Sequence, residues 1–289
     1  MDVVLIFNGL GNQMSQYAFY LNKYKRNSDT KAVFYSSDAN HNGYELDKVF
    51  NIQKPENNTL SNLFIFLTKK LFPCKVIKKL LSFLHIVKII TESMDYDYNP
   101  ELLKKGNAII TYYWGGWHSY KYIEDVKNEI KDKFIFEYSK IGERNLQIIN
   151  EMRNTNSISV HIRRGDYLNK VNSRWGGVVN NDFYRKAFGF INNINNKYFY
   201  FFTDDCEWVR ENYKFERMIV VDWNQGSNSW MDMVLMSNCK ININPNSTFS
   251  WWASWLNMQN DRTVYVPDRF VVDHKSKDFY PIDWIQIER

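Results

Sequence analysis

Two arginines stand side by side in His161-Ile162-Arg163-Arg164-Gly165-Asp166-Tyr167. Adjacent guanidiniums followed by a glycine and an acid suit a doubly charged oxyanion such as a pyrophosphate, because the planar fork binds bidentately and never loses its charge. The competing reading of Arg163, Arg164 and Asp166 is a surface Arg–Asp pair that caps a sheet. Asn246-Ser247-Thr248 precedes Phe249, Trp251, Trp252 and Trp255. Hydroxyl residues there start a helix whose backbone N–H groups can donate to a phosphate, or form an ordinary N-cap ahead of a core aromatic face. Gly9-Leu10-Gly11-Asn12-Gln13 lacks the third glycine of G-x-G-x-x-G and the acid about 20 residues on, so a dinucleotide cofactor is not expected. Its place between a strand and a helix still offers a second wall for a phosphate.

Asp204-Asp205 has the look of a chelating pair, but no neighbouring His or third carboxylate completes a metal shell. Helix capping or a bond to a ligand hydroxyl is the preferred reading. His161 lies inside a strand, where a lone His reads as a satisfied core residue before it reads as a base. Asp232 lies among Met231, Met233 and Val234. Its carboxylate is either solvated or bonded to something specific, such as a base edge or a ribose hydroxyl.

These groups need elements to hold them. Val3 to Phe7 reads as a buried strand, followed by a glycine turn and a helix with Met14, Tyr17, Ala18, Leu21 and Tyr24 on one face. Residues 57–91 read as two short amphipathic helices with a basic face, split by Pro73. Ile109 to Tyr113 reads as a strand leading into Trp114-Gly115-Gly116-Trp117-His118, and Tyr122 to Phe134 as helix. Beyond residue 157, strands are expected at 158–162, 198–202, 219–221, 241–243 and 263–266, with helices near 182–195, 207–213, 229–238 and 248–258. Such alternation implies a parallel, doubly wound α/β sheet. Ligands of such sheets bind outside the carboxyl ends of the strands, where Arg163, Asp204, Asp222, Asn244 and Asp268 all fall.

The chain has 289 residues, 44% hydrophobic and 17% aromatic, with ten Trp. That length accommodates two domains with buried cores. Three widely spaced cysteines support neither a disulfide framework nor a zinc ribbon. The first residues read as a strand rather than a signal peptide, and no run approaches the roughly 20 apolar residues of a membrane span. The net charge is +5. Residues 57–91 contain six lysines and no acid, so without them the balance is −1. The excess thus marks one basic, apolar segment, read either as a contact with an anionic membrane leaflet or as a solvated helical face. No nucleic-acid recognition motif is present, and the basic residues lie away from the sheet edge, so no nucleic-acid partner is expected.

Four motifs in order, Gly9-Leu10-Gly11-Asn12-Gln13-Met14, His161 to Tyr167, Phe202-Thr203-Asp204-Asp205 and Asn246-Ser247-Thr248-Phe249-Ser250-Trp251-Trp252-Ala253, resemble the bacterial α-1,2-fucosyltransferases of glycosyltransferase family 11. This is the family that includes the blood-group H enzymes. Tyr113 to Tyr122 also resembles its aromatic acceptor-side segment. There His118 and Tyr120 stand where the family usually has Gln and Glu, which leaves the acceptor open. Residues 28–107 carry no family motif.

The resemblance implies a GT-B-type α/β fold, two Rossmann-like domains facing each other across a cleft, with an acceptor-side domain at 1–150 and a donor-binding domain at 151–289. It implies a GDP-β-L-fucose donor, inversion at the anomeric carbon, no required metal or other cofactor, and a terminal β-galactoside acceptor on an oligosaccharide or lipid-linked glycan. Carried over residue by residue, Arg163 binds the leaving pyrophosphate and Arg164 and Asp166 shape the same loop. Gly11 and Asn12 close over the phosphates, Asp232 holds the guanine, and Ser247, Thr248 and Phe249 line the pyrophosphate and nucleoside. His161, Asp204 and Asp205 belong to the donor side, Trp114, Trp117 and His118 to the acceptor side. Arg163, Asp166 and Asn12 are the catalytic candidates, Asp166 being the nearest carboxylate for a general base. The expected location is cytoplasmic, with peripheral contact at the inner face of the membrane through 57–91. The rival readings are a non-catalytic sugar-nucleotide or glycan-binding protein and a fucosyltransferase of different linkage or acceptor.

Overall fold

A computed structural model describes residues 1–36, 42–168, 176–275 and 277–289. The chain divides into two compact units, Met1–Ile135 and Phe136–Arg289. The division falls before the 150/151 boundary expected from sequence, because the helix Glu143–Asn154 leads directly into the second sheet and packs on it. That helix was not anticipated: its apolar positions are few, and only Asn145, Ile149 and Met152 are buried along it.

The first unit is built on a four-stranded parallel sheet in the order β2-β1-β4-β3, formed by β1 (Asp2–Ile6), β2 (Lys31–Phe34), β3 (Val87–Thr91) and β4 (Ile110–Trp114). All five residues of β1 are buried, as a central parallel strand covered on both faces requires. Alternation sends Val3 and Leu5 to one face, with Val33, Phe64, Val87 and Tyr112, and Val4 to the other, with Phe19, Tyr113, Trp117 and Tyr122. The first face is covered by Asn58–Phe66 and Lys75–Phe83, the two helices expected there. The end of that basic stretch is β3, which sequence alone reads as a continuation of helix.

The helix Leu10–Arg26 buries Met14, Tyr17 and Ala18 as its periodicity predicts, but Tyr24 is exposed, and Phe19 and Lys23 are buried instead. Lys23 Nζ lies 3.0 Å from Asp2 Oδ2, both side chains being essentially without solvent contact. Its other donors reach the carbonyls of Leu102 and Lys104, each at 2.8 Å, and the ammonium sits 3.9 Å from the centre of the Tyr113 ring. Asp2 in turn accepts the N–H of Gly106. A Cβ at Gly106 would come within 2.2 Å of Thr111 Oγ1 and 2.7 Å of Asp2 Oδ1, so glycine is required by the close approach. Burial lowers the Lys23 pKa while Asp2 opposes that shift.

The second unit carries a six-stranded parallel sheet, β10-β9-β8-β5-β6-β7, from β5 (Asn156–Ile162), β6 (Lys197–Thr203), β7 (Met218–Val221), β8 (Ile241–Ile243), β9 (Thr263–Pro267) and β10 (Ile285–Ile287). The chain winds outward from β5 to β7, then returns to the other side of β5 and continues to β10. The direction therefore reverses between β5 and β8, which is where a doubly wound sheet opens its crevice. Ile158, Val160 and Ile162 pack with Phe183, Tyr184 and Ala187 of the helix Asn181–Phe190 on one face. Helices Trp230–Met236 and Thr248–Trp255 pack on each other and bury Met233, Val234, Trp252 and Ala253. Among the described residues no helix is long and apolar enough to cross a membrane.

Removing one partner of a fully buried ion pair leaves an uncompensated charge. Lys23→Met is expected to destabilise the protein by about 3–5 kcal/mol, read as a lowered urea midpoint. An unchanged midpoint would show that the pair contributes nothing.

Candidate active site

The parallel register of β5 and β6 pairs Ile162 with Thr203, so the next residues outward, Arg163 and Asp204, emerge side by side. Asp204 Oδ1 accepts the backbone N–H groups of Arg164 at 2.9 Å and Gly165 at 3.0 Å, while its Oδ2 lies 3.2 Å from Arg163 Nη1. A Cβ at Gly165 would meet Asp204 Oδ2 at 2.9 Å. The glycine thus lets the carboxylate approach the turn. Asp205 takes the second arginine: its Oδ2 accepts from Arg164 Nε at 3.0 Å, and its Oδ1 caps the helix Cys206–Asn212 by accepting from Trp208 N at 3.2 Å. The Arg164 guanidinium lies over the Trp208 ring at 3.9 Å.

The two arginines are therefore not equivalent. Each has a carboxylate and a ring beside it, but Arg164 sits close over its indole with a side-chain exposure of 19%, whereas Arg163 lies 5.7 Å from the Tyr167 ring centre and is 36% exposed. The acid pair is engaged in holding the turn and a helix cap, consistent with the capping role expected for it. Asp166 begins a short 3-10 turn, Asp166–Leu168; its side chain lies outside the described residues.

His161 is buried on β5, as expected of a strand histidine, but it is not a satisfied core residue. Its Nδ1 has no hydrogen-bond partner among the described residues. Burial, reinforced by the positive charge of Arg163, pushes its pKa down to about 3, so the imidazole is neutral. Tyr184 donates to its carbonyl, and its ring centre lies 6.2 Å from that of Phe249.

On the other side of β5, β8 ends at Ile243 and the chain runs through Asn244-Pro245-Asn246 to the helix Thr248–Trp255. Ser247 occupies the N-cap position with an extended backbone, yet its side chain makes no capping bond. The hydroxyl-cap reading fails there, and the helix start is not closed by Ser247. Downstream the core reading holds, since Trp251 and Trp252 are buried. Asn246 is a strut: it donates to the carbonyls of Gly177 and Phe270, and its own carbonyl accepts from Tyr167, the residue after Asp166. The two loops flanking the sheet's reversal are thus tied together.

Asp232 stands apart from this cluster, beyond the end of β7. It accepts from Asn224 Nδ2 at 2.9 Å, and burial pushes its pKa up to about 7 against that bond. Asn224 exchanges hydrogen bonds with Asn145, which also accepts from the Trp223 indole; Arg144 lies 3.6 Å over that indole. Sequence reading gave neither Asn145 nor Asn224 a site role, because each acts through a partner distant in sequence.

In the first unit, Gly9 opens the helix Leu10–Arg26 with no acid in its first turn; Gly11 is buried and Asn12 half-buried. Gln13 and Gln16, from the same motif and the next turn, are brackets. Gln13 donates to the carbonyls of Asn8 and Gly43 and accepts from Glu45 N. Gln16 accepts from Phe7 N and donates to the Gly115 carbonyl. The aromatic loop after β4 is a second departure. Trp117, expected on the acceptor side, is fully buried, stacked on Phe19 with ring centres 4.4 Å apart. His118 is buried too, and burial lowers its pKa to about 3. Only Trp114, 39% exposed, keeps a face available. The loop's shape comes from Glu92, not foreseen, whose carboxylate accepts the N–H groups of Gly116, Trp117 and His118; burial raises its pKa to about 7 despite those three bonds.

Comparison with known proteins places the whole chain. The chain is 30% identical over 300 residues to an α-1,2-colitosyltransferase of Escherichia coli, covering 99% of both chains. It is 28% identical over 187 residues to a galactoside α-(1,2)-fucosyltransferase 1 of Mico humeralifer, covering 58% of this chain and 50% of that one. Among solved structures, a crystal of the α-1,6-fucosyltransferase NodZ soaked with GDP-fucose superposes with a TM-score of 0.51 at 15% identity, over 88% of this chain and 91% of that one. This last likeness carries the fold alone, the GT-B-type α/β fold expected from the sequence. The family model for glycosyl transferase family 11 matches residues 2–288, and the chain is a member of that family.

Proposed function

We propose that the protein transfers L-fucose from GDP-β-L-fucose, with inversion, to the 2-hydroxyl of a terminal β-galactoside on an oligosaccharide or lipid-linked glycan, in the cytoplasm. The observation that carries this is the turn Arg163-Arg164-Gly165 at the reversal of the second sheet, across from the start of the helix Thr248–Trp255, where the Ser247 side chain makes no capping bond. Departure of GDP develops negative charge on the β-phosphate oxygen. A preorganised guanidinium and backbone N–H groups aimed at that oxygen stabilise it as it forms. In this reading Arg163 and the N–H groups of Thr248 and Phe249 take the pyrophosphate. Asp232 takes the donor edge of guanine. Asp166 receives the proton of the acceptor hydroxyl as its oxygen bonds to the anomeric carbon.

A second reading concerns the sugar. The full-length relative named for colitose transfer makes GDP-colitose, in which the sugar lacks the 3-hydroxyl of fucose, the alternative donor. Release of GDP from each donor, with linkage analysis of the product, separates the two; release from neither in the presence of galactosides would overturn the reading.

Arg163→Ala is expected to lower kcat by about 10²–10³, the loss typical of one group that stabilises developing charge, while the melting temperature stays at its wild-type value. Near-wild-type turnover would remove Arg163 from the chemistry. Because the Asp232 pKa lies at about 7, the carboxylate that accepts from guanine predominates above that pH and is lost below it. KM for the donor is therefore expected to rise as pH falls from 8 to 6, and Asp232→Asn should give a raised KM that no longer depends on pH over this range. A donor KM flat with pH in the wild type would place guanine elsewhere.

A further inference from the structure

The helix Lys75–Phe83 has no buried residue at all, which is unusual for an element so rich in Val, Ile, Leu and Phe. At about 100° per residue its apolar positions span an arc of roughly 160°, from Phe83 through Val76, Leu80 and Ile77 to Leu81. The protein uses only one end of that arc. Leu81 packs against the cluster of Val3, Leu5, Phe64 and Val87. Val76, Leu80 and Phe83 are instead 73%, 53% and 80% exposed, and Leu84, just past the helix, is 52% exposed. Lys79 and Lys75 border the exposed arc on the side away from the protein body, and both are exposed.

A contiguous apolar stripe open to water marks a surface that something covers. Two further facts fix the chemistry of the cover. The stretch 57–91 contains six lysines and no acid, and Phe66, earlier in the same stretch, is also 51% exposed. A polyanion without apolar surface would engage the lysines and gain nothing from Phe83. A bilayer with anionic headgroups takes both, since an interfacial helix buries its apolar face at the acyl boundary while flanking lysines extend to the phosphates.

We propose that the helix Lys75–Phe83 is a docking element for the surface of an anionic phospholipid bilayer, with Val76, Leu80 and Phe83 entering the acyl boundary and Lys75 and Lys79 meeting headgroup phosphates. The attachment is peripheral.

Co-sedimentation of the intact protein with vesicles tests this without donor or acceptor, so its outcome is independent of sugar transfer. Vesicles of equal parts phosphatidylglycerol and phosphatidylcholine are expected to bind at least about tenfold more protein than phosphatidylcholine alone, with binding weakened by salt. The triple variant V76S/L80S/F83S should lose most of that binding at an unchanged melting temperature, and K75Q/K79Q should lose the preference for phosphatidylglycerol. Should the triple variant fold poorly, Phe83→Ser alone, at the most exposed of the three sites, is expected to weaken binding several-fold. Absence of vesicle binding, equal binding to both compositions, or binding that survives these substitutions overturns the proposal. So does a wild-type dimer in light scattering that the triple variant dissociates, which would assign the stripe to a second copy of the chain.

Discussion

The second unit's site depends on one carboxylate. Asp204, at the end of β6, holds the turn that follows β5 by two backbone N–H bonds and one guanidinium. An ionised carboxylate that accepts several donors makes strong, short bonds, and here those bonds cross from one strand to its neighbour. They fix the direction in which Arg163 leaves the sheet. Without Gly165 the carboxylate could not come close enough, and without the register of β5 on β6 it would not be opposite the turn. Strand pairing, glycine and acid form a single device, and the position of the arginine is its output.

The first unit uses the same device at the end of β4. Glu92, just past β3, gathers three consecutive N–H groups from Gly116, Trp117 and His118, and Trp117 takes a positive φ of 56° to make this possible. Gln16 spans the ends of β1 and β4 by accepting on one side and donating on the other. In both units, then, side chains from a neighbouring element shape the loops at the carboxyl ends of the strands.

The regular half of the fold was legible because each strand there is a short apolar run between helical patterns, and β5 to β9 fall at the expected places. β2, β3 and β10 were not. Lys31-Ala32-Val33-Phe34 opens on an exposed lysine and buries only Ala32 and Val33, Val87 to Thr91 follows directly on a helical run, and β10 has only Ile287 buried. The arginine turn and the acid pair were legible from residue type and spacing. Trp117 does lie in a loop, but the acceptor-side role that the resemblance implied for it presupposes an open face, and only the tertiary fold reveals Phe19 beneath it. Asn145, Asn224 and Glu92 act through partners distant in sequence, so no local pattern announces them. The exposed stripe on Lys75–Phe83 lay between the two: its amphipathicity was visible, but which part of the apolar arc the protein itself covers was not.

The pairing of two arginines with two aspartates also has an electrostatic consequence. Arg163 and Arg164 would repel each other if left bare; with Asp204 and Asp205 against them the cluster is close to neutral before anything binds. On the proposed function, a diphosphate arriving at Arg163 would therefore not meet a strongly positive pit. It would compete with Asp204 for the guanidinium, while the two backbone N–H bonds to Asp204 hold the turn in shape. The carboxylate would then serve as a tethered counterion, at hand to replace a departing product.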